Sequence, residues 1–231
     1  MTKAASLLFA LSLTVVVGAP GTQAGPLKSL NGHVREPVPN GPSSGVSERA
    51  RQMIAVVDSL DVENHWPAGV HVNWETGDPD GKAVSTEGKH THCSAFVAAA
   101  AKHLGIYVLR PPEHGQVLLA NAQYDWLQGD GATQGWRPLR DAVEAQAYAN
   151  RGYLVLAAYQ NRKSDKPGHI AIVRPADRSE QAIRDEGPAI TQAGETNYRE
   201  ATLKTGFAGH PHAFADNEVL YFAHDVPAQT N

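Results

Sequence analysis

Residues 93–104, Cys-Ser-Ala-Phe-Val-Ala-Ala-Ala-Ala-Lys-His-Leu, are a helical run built on alanine and closed by Gly105. Alanine is the best helix former, and glycine readily takes the left-handed conformation that ends a helix. Phe96, Val97, Ala100, Ala101 and Leu104 recur on one face, and the small alanines let such a helix lie close against a sheet. The residues after it supply that sheet, as strand-like runs at 152–159, 169–173, about 189–192 and 219–222. Helices followed by strands predict an α+β fold, with N-terminal helices packed on a mainly antiparallel sheet.

The chain begins with Lys3, an apolar stretch from Ala4 to Val17, then Gly18, Pro20 and a small-residue ending at Ala24. This is the pattern of a secretory signal peptide, too short for a membrane span, and it predicts a secreted or periplasmic protein with no membrane attachment once residues 1–24 are removed. Residues 25–46, rich in Pro, Gly, Ser and Asn, read as a linker or irregular arm, and 47–226 as one catalytic domain. Ser47 caps a helix expected to run to about Leu60, and a polar loop at 64–89 leads to Cys93. Helices are expected at about 117–128 and 139–149, with a glycine-rich loop at 129–135 between them. A net charge of -4 without any run of Lys or Arg gives no electrostatic footprint for nucleic acid.

Cys93 is the only cysteine, so no intramolecular disulfide is possible. At a helix start, unpaired amides and the positive end of the helix dipole can hold a thiol as thiolate. Gly168-His169-Ile170-Ala171-Ile172-Val173 opens a strand on histidine, and that imidazole can take the thiol proton and return it to a leaving amine. A hydrogen-bond acceptor behind the ring would set its tautomer, and the Cys93 amide would receive a developing oxyanion. Zinc is the competing chemistry for His90, His92, Cys93 and His169. The His-x-His-Cys spacing lacks a helical His pair or a second Cys pair, so neither metal nor cofactor is expected.

Cys-Ser-Ala-Phe-Val at a helix start, Gly-Tyr-Leu-Val-Leu-Ala-Ala, Gly-His-Ile-Ala-Ile-Val and Ala-Ile-Thr-Gln-Ala-Gly, in that order, resemble the papain-like NlpC/P60 and CHAP cysteine amidohydrolases. The resemblance covers roughly Thr86 to Asn197. It implies a papain-like fold and hydrolysis of amide bonds in bacterial peptidoglycan, within the stem peptide or between glycan and peptide. It places Cys93 at the nucleophile, His169 at the base and Gln192 at the polar residue orienting the base. His92 stands where members often carry an acidic residue or asparagine, and Glu195 and Asn197 compete with Gln192 for the third role. The partners implied are peptidoglycan or its peptide fragments, and an inhibitor or immunity protein if the enzyme attacks competitors.

Trp74, His92, Tyr159 and Trp126 are the candidate substrate contacts, because amphipathic rings in loops suit sugar and peptide; Trp66 is a further candidate of the same kind. His210 and His212 flank Pro211 in a glycine-rich turn and read as solvated loop residues, and His103 and His114 as structural or exposed. Two other functions fit the same residues: a catalytically silent wall-binding module, and a cysteine acyltransferase or transpeptidase using the same pair.

Overall fold

The computed structural model describes residues 45–84 and 89–228; the expected leader and nearly all of the expected arm lie outside them. Helix α1, Glu48–Asp58, starts where Ser47 accepts a hydrogen bond from the Ala50 amide at 3.1 Å, and it buries Ala50, Met53 and Val57. Helix α2, Cys93–His103, is buried without a break from Cys93 to Ala101, and Gly105 beyond it has φ 71°. Helix α3, Leu119–Gln128, begins two residues later than expected because Leu118 before it is left-handed, at φ 54°. The glycine-rich segment after it is a 3-10 turn, Asp130–Gln134. The helix expected at 139–149 is preceded by a short strand β1, Arg137–Leu139, and runs as α4, Ala142–Asn150, capped by Asp141 on the Glu144 amide at 2.8 Å.

Five strands follow: β2 (Leu154–Tyr159), β3 (His169–Val173), β4 (Ala189–Ala193), β5 (Asn197–Thr202) and β6 (Leu220–His224). Helix α5 (Glu180–Glu186) lies between β3 and β4, and α6 (Leu203–Gly206) and α7 (Pro211–Ala215) lie between β5 and β6. The sheet order is β1-β6-β2-β3-β4-β5, and every neighbouring pair is antiparallel. The molecule is therefore α+β, with helices and a six-stranded antiparallel sheet.

Strand alternation divides the core in two. Leu154, Leu156, Ala158, Ile170, Ile172 and Phe222 face α2 and its neighbours, while Val155, Ala157, Tyr159, Ala171, Val173 and Tyr221 pack with Ala149, Leu203, Phe207 and Ala213. Both faces are covered, which is why β2 and β3 read as continuous apolar runs. The N-terminal helices cover only one face, contrary to a simple helices-on-sheet expectation; α4, α6 and α7 cover the other. The two edges escape the apolar signal because edge strands are blunted by short length, proline and charge: β1 has three residues with Pro138 at its centre, and β5 carries Arg199 and Glu200. Among the described residues no helix is long and apolar enough to cross a membrane.

An ion-pair cluster ties α1 to the sheet. Arg174, just past β3, grips Asp58 with two bonds of 2.5 and 2.8 Å, and Arg199 of β5 adds a third at 2.8 Å. Burial pushes the Asp58 carboxyl up, but the two guanidinium groups outweigh it and hold the group below its ordinary range. A carboxyl depressed in the folded state contributes stability above the ordinary carboxylate range and loses it as pH falls through the depressed value. Asp58→Asn is therefore expected to lower unfolding free energy by about 3 kcal/mol at neutral pH. In urea titrations this difference from the parent should shrink as pH is brought towards about 2; a difference independent of pH would show that the charge is not what matters.

Candidate active site

Cys93 opens α2. The residue before it, His92, makes no side-chain cap, and the first main-chain bond of the helix is Phe96 N–H to the His92 carbonyl at 2.9 Å. The amides of the first turn are thus left for other partners. Burial, at 4% exposure, pushes the Cys93 thiol up; the amides of Ile170, Ser94 and Cys93 itself pull it down but do not overcome burial. Burial here works against the thiolate that a helix start can hold. A helix start supplies the right dipoles, but this thiol is enclosed, and among the described residues no cation lies beside it.

His169 is the first residue of β3 and lies directly across from Tyr159, the last of β2. Its Nε2 is 2.8 Å from Gln192 Oε1, while Gln192 Nε2 donates to the Thr196 carbonyl at 3.2 Å. The second bond fixes which end of the amide faces the ring. Because an amide oxygen only accepts, Nε2 carries the proton, and Nδ1 of the neutral ring is the free acceptor. Burial pushes the His169 ring down, and the Gln192 bond partly restores it. Ile172 pairs with Thr191 and Val173 with Ile190, so Gln192 stands one step further along β4, diagonal to His169 and within reach of a long side chain.

Glycines make room for this bond. A Cβ on Gly194 would lie 2.6 Å from Gln192 Nε2, and one on Gly206 would lie 2.5 Å from Gln192 Oε1. Upstream, Asn121 of α3 clamps the entry to β3: its Oδ1 accepts from the Gly168 amide at 2.8 Å and its Nδ2 donates to the Lys166 carbonyl at 2.9 Å. A Cβ on Gly168 would meet the Tyr159 carbonyl at 2.1 Å, so only glycine fits before the histidine. Gln123, also on α3, donates to the Ser94 carbonyl at 3.1 Å and fixes the first turn of α2.

Of the three candidates behind His169, Gln192 reaches the ring. Asn197 begins β5 instead of lying in a departing loop, and its Nδ2 donates to the carbonyls of Val62, His65 and Trp66 at 2.8, 2.8 and 3.2 Å. Glu195 is exposed and paired with Lys89. The thiol lies at the Ile170 amide, one peptide unit from His169. Among the described residues no hydrogen bond joins thiol and ring.

The aromatic candidates are dispersed. Trp74 sits under Lys102 and Arg110, with cation-to-ring distances of 5.5 and 5.9 Å. Lys102 lies in the last turn of α2 and Arg110 beyond it, whereas Cys93 opens that helix. Trp126 is half-buried and packs edge-on against Tyr107 at 5.6 Å and over Gly131. Trp66 is fully buried against Phe96. His92 is buried with Nε2 2.8 Å from the Val70 carbonyl; burial pushes it down, and the ring holds the preceding loop instead of facing a substrate. Tyr159 alone of these faces the same side as His169. His210, read from the sequence as a solvated loop residue, is instead stacked on His169 at 5.6 Å with the planes 23° apart.

Asn121, Gly206, Phe207 and His210 are site neighbours that sequence reasoning missed. None carried a local hint: Asn121 is one of several polar residues of α3, with Gln123, Asp125 and Gln128. Among the described residues no three His, Cys, Asp or Glu side chains converge as a metal site would require. Surface clefts of about 500 and 430 Å³ lie elsewhere, at the end of α1 beside Arg199 and between α4 and α7. No family model matches the chain, and no curated protein matches it.

The raised thiol gives a direct test. Iodoacetamide should modify folded Cys93 more slowly than an unfolded control at neutral pH, with the rate climbing about tenfold per pH unit and no plateau by about pH 9. A plateau below pH 8 would show that the thiolate is already formed.

Proposed function

We propose that the protein is an exported cysteine hydrolase of papain-like NlpC/P60 or CHAP type, cleaving amide bonds of bacterial peptidoglycan as a stem-peptide endopeptidase or amidase. The observation that carries this is the buried His169–Gln192 bond on adjacent strands, 2.8 Å long, beside a unique thiol at an uncapped helix start. Nothing in a purely structural role requires both the histidine tautomer and the glycine clearances behind Gln192.

In the mechanism, His169 Nδ1 takes the Cys93 proton as Sγ attacks the scissile carbonyl, so a neutral pair becomes charged only as the bond forms. Thiol and ring come within hydrogen-bond reach as substrate binds, since catalytic hydrogen bonds often tighten only in that complex. The oxyanion is received by the Cys93 amide, and Gln192 Oε1 stabilises the imidazolium through Nε2–H. His169 then gives its proton to the departing amine, leaving a thioester. Water attacks that thioester, its proton passing back to His169, and the acid product and free thiol are released.

The enclosed, protonated thiol also supports a second reading, a wall-binding module without turnover. An acyltransferase would use the same first step with an amine acceptor in place of water. Purified protein lacking residues 1–24 should release new termini from isolated peptidoglycan, identified by mass spectrometry. Cys93→Ala and His169→Ala should each reduce turnover by about a thousandfold or more, and Gln192→Ala by about tenfold to a hundredfold, since a misoriented ring still samples the productive tautomer. Chelators should leave the rate unchanged. Full turnover in Cys93→Ala would rule out thiol chemistry, whereas wall binding without product in both parent and variant would favour the binding module.

A further inference from the structure

Segment 206–210 converges on the site from a part of the chain far from either strand. Gly206 gives Gln192 its clearance, Phe207 meets the His169 ring edge-on at 4.6 Å, and His210 stacks over that ring at 5.6 Å. The His210 amide donates to the Phe207 carbonyl at 2.8 Å, and its own carbonyl accepts from Ala213 at 2.9 Å, so one tight turn fixes both rings. Tyr159, the cross-strand partner of His169, lies 5.4 Å from His210 and closes the group. We propose that His210 is a positioning residue: stacked on the His169 imidazole, it holds the plane of that ring so that Nε2 stays on Gln192 and Nδ1 stays the free acceptor.

The alternative to stacking is a ring free to rotate about its last torsion. The Gln192 bond anchors one nitrogen only, and a single hydrogen bond permits rotation about its own axis. Rings on two sides remove that freedom. The groups facing His210 are His169 from β3, Tyr159 from β2 and Lys89 from the loop before α2; no carboxylate is among them. Burial, then His169, then Lys89, push the His210 ring down to about 4, so it is neutral wherever His169 must become imidazolium. A neutral ring tolerates a stacked cation, whereas a charged one would repel it. His212, two residues on, is exposed and paired with Asp216, and takes no part.

This role for His210 rests on the Cys93–His169 chemistry proposed above, but its test does not depend on peptidoglycan. In the full folded chain, His169 is titrated by nitrogen-detected NMR, and Cys93 alkylation is followed against pH, for the parent, His210→Ala and His210→Phe. His210→Ala should let water reach the ring, raising the His169 midpoint by about one pH unit and weakening the Nε2–H signal of the Gln192 bond. His210→Phe, which restores a ring without a titrating group, should return both readouts to the parent's values. Where turnover is measurable, His210→Ala should lower kcat about tenfold with KM little changed, and His210→Phe should recover most of it. A folded His210→Ala with the parent's His169 midpoint and tautomer would overturn the proposal, as would a His210→Phe protein as perturbed as the alanine variant. A parent without turnover would defeat the hydrolase assignment alone, because the NMR comparison still decides the positioning role.

Discussion

The close seating of α2 on the sheet is the constraint on which the rest depends. Nine consecutive buried residues, five of them alanine, are tolerable only where a helix backbone lies tightly against other elements. That seating fixes where the helix can begin. The first residue of α2 comes to rest at the Ile170 amide, beside the residue that opens β3, and the thiol is where it is because the helix has no room to slide. Gln123 from α3 and the Asp58–Arg174 pair from α1 reinforce the same register from two sides.

Enclosure has a cost for the chemistry. A thiol at a helix start gains from the dipole and from nearby amides, yet here desolvation is larger and leaves it protonated. Desolvation acts on His169 in the opposite sense and keeps it neutral. A neutral thiol and a neutral imidazole avoid two buried charges in the resting protein, each of which would cost several kcal/mol without a partner. In the hydrolase proposed above, the charge separation is deferred to the moment when substrate carbonyl, Gln192 and the helix amides can all share it. Both groups are buried by the same packing, so a change that opened the site would move both at once.

The polar residues around the pair are arranged in a chain of support. Thr196 holds the Gln192 amide, Gln192 holds His169, and Asn121 holds the strand entry from which His169 projects. Glycines at 168, 194 and 206 occur where any side chain would collide with this chain of contacts. Asn197, a competitor for the third role on sequence alone, serves the scaffold instead by joining β5 to the loop after α1.

Local periodicity and composition were enough to place α1, α2, β2, β3 and β4, because each buries an apolar pattern that its own residues encode. They also placed a histidine at a strand start and a thiol at a helix start. The edge strands β1 and β5 were not legible, since Pro138, Arg199 and Glu200 answer to the solvent beside a sheet edge and not to a core. Nor were the short helices α5 to α7, of which α6 and α7 cover the second face. The choice of Gln192 over Glu195 and Asn197, the stacking of His210 on His169 and the protonation of Cys93 are matters of distance between segments remote in sequence. Spacing along the chain carries no information about the desolvation that decides a pKa, or about which of several polar side chains a β-strand's pleat will turn towards a ring.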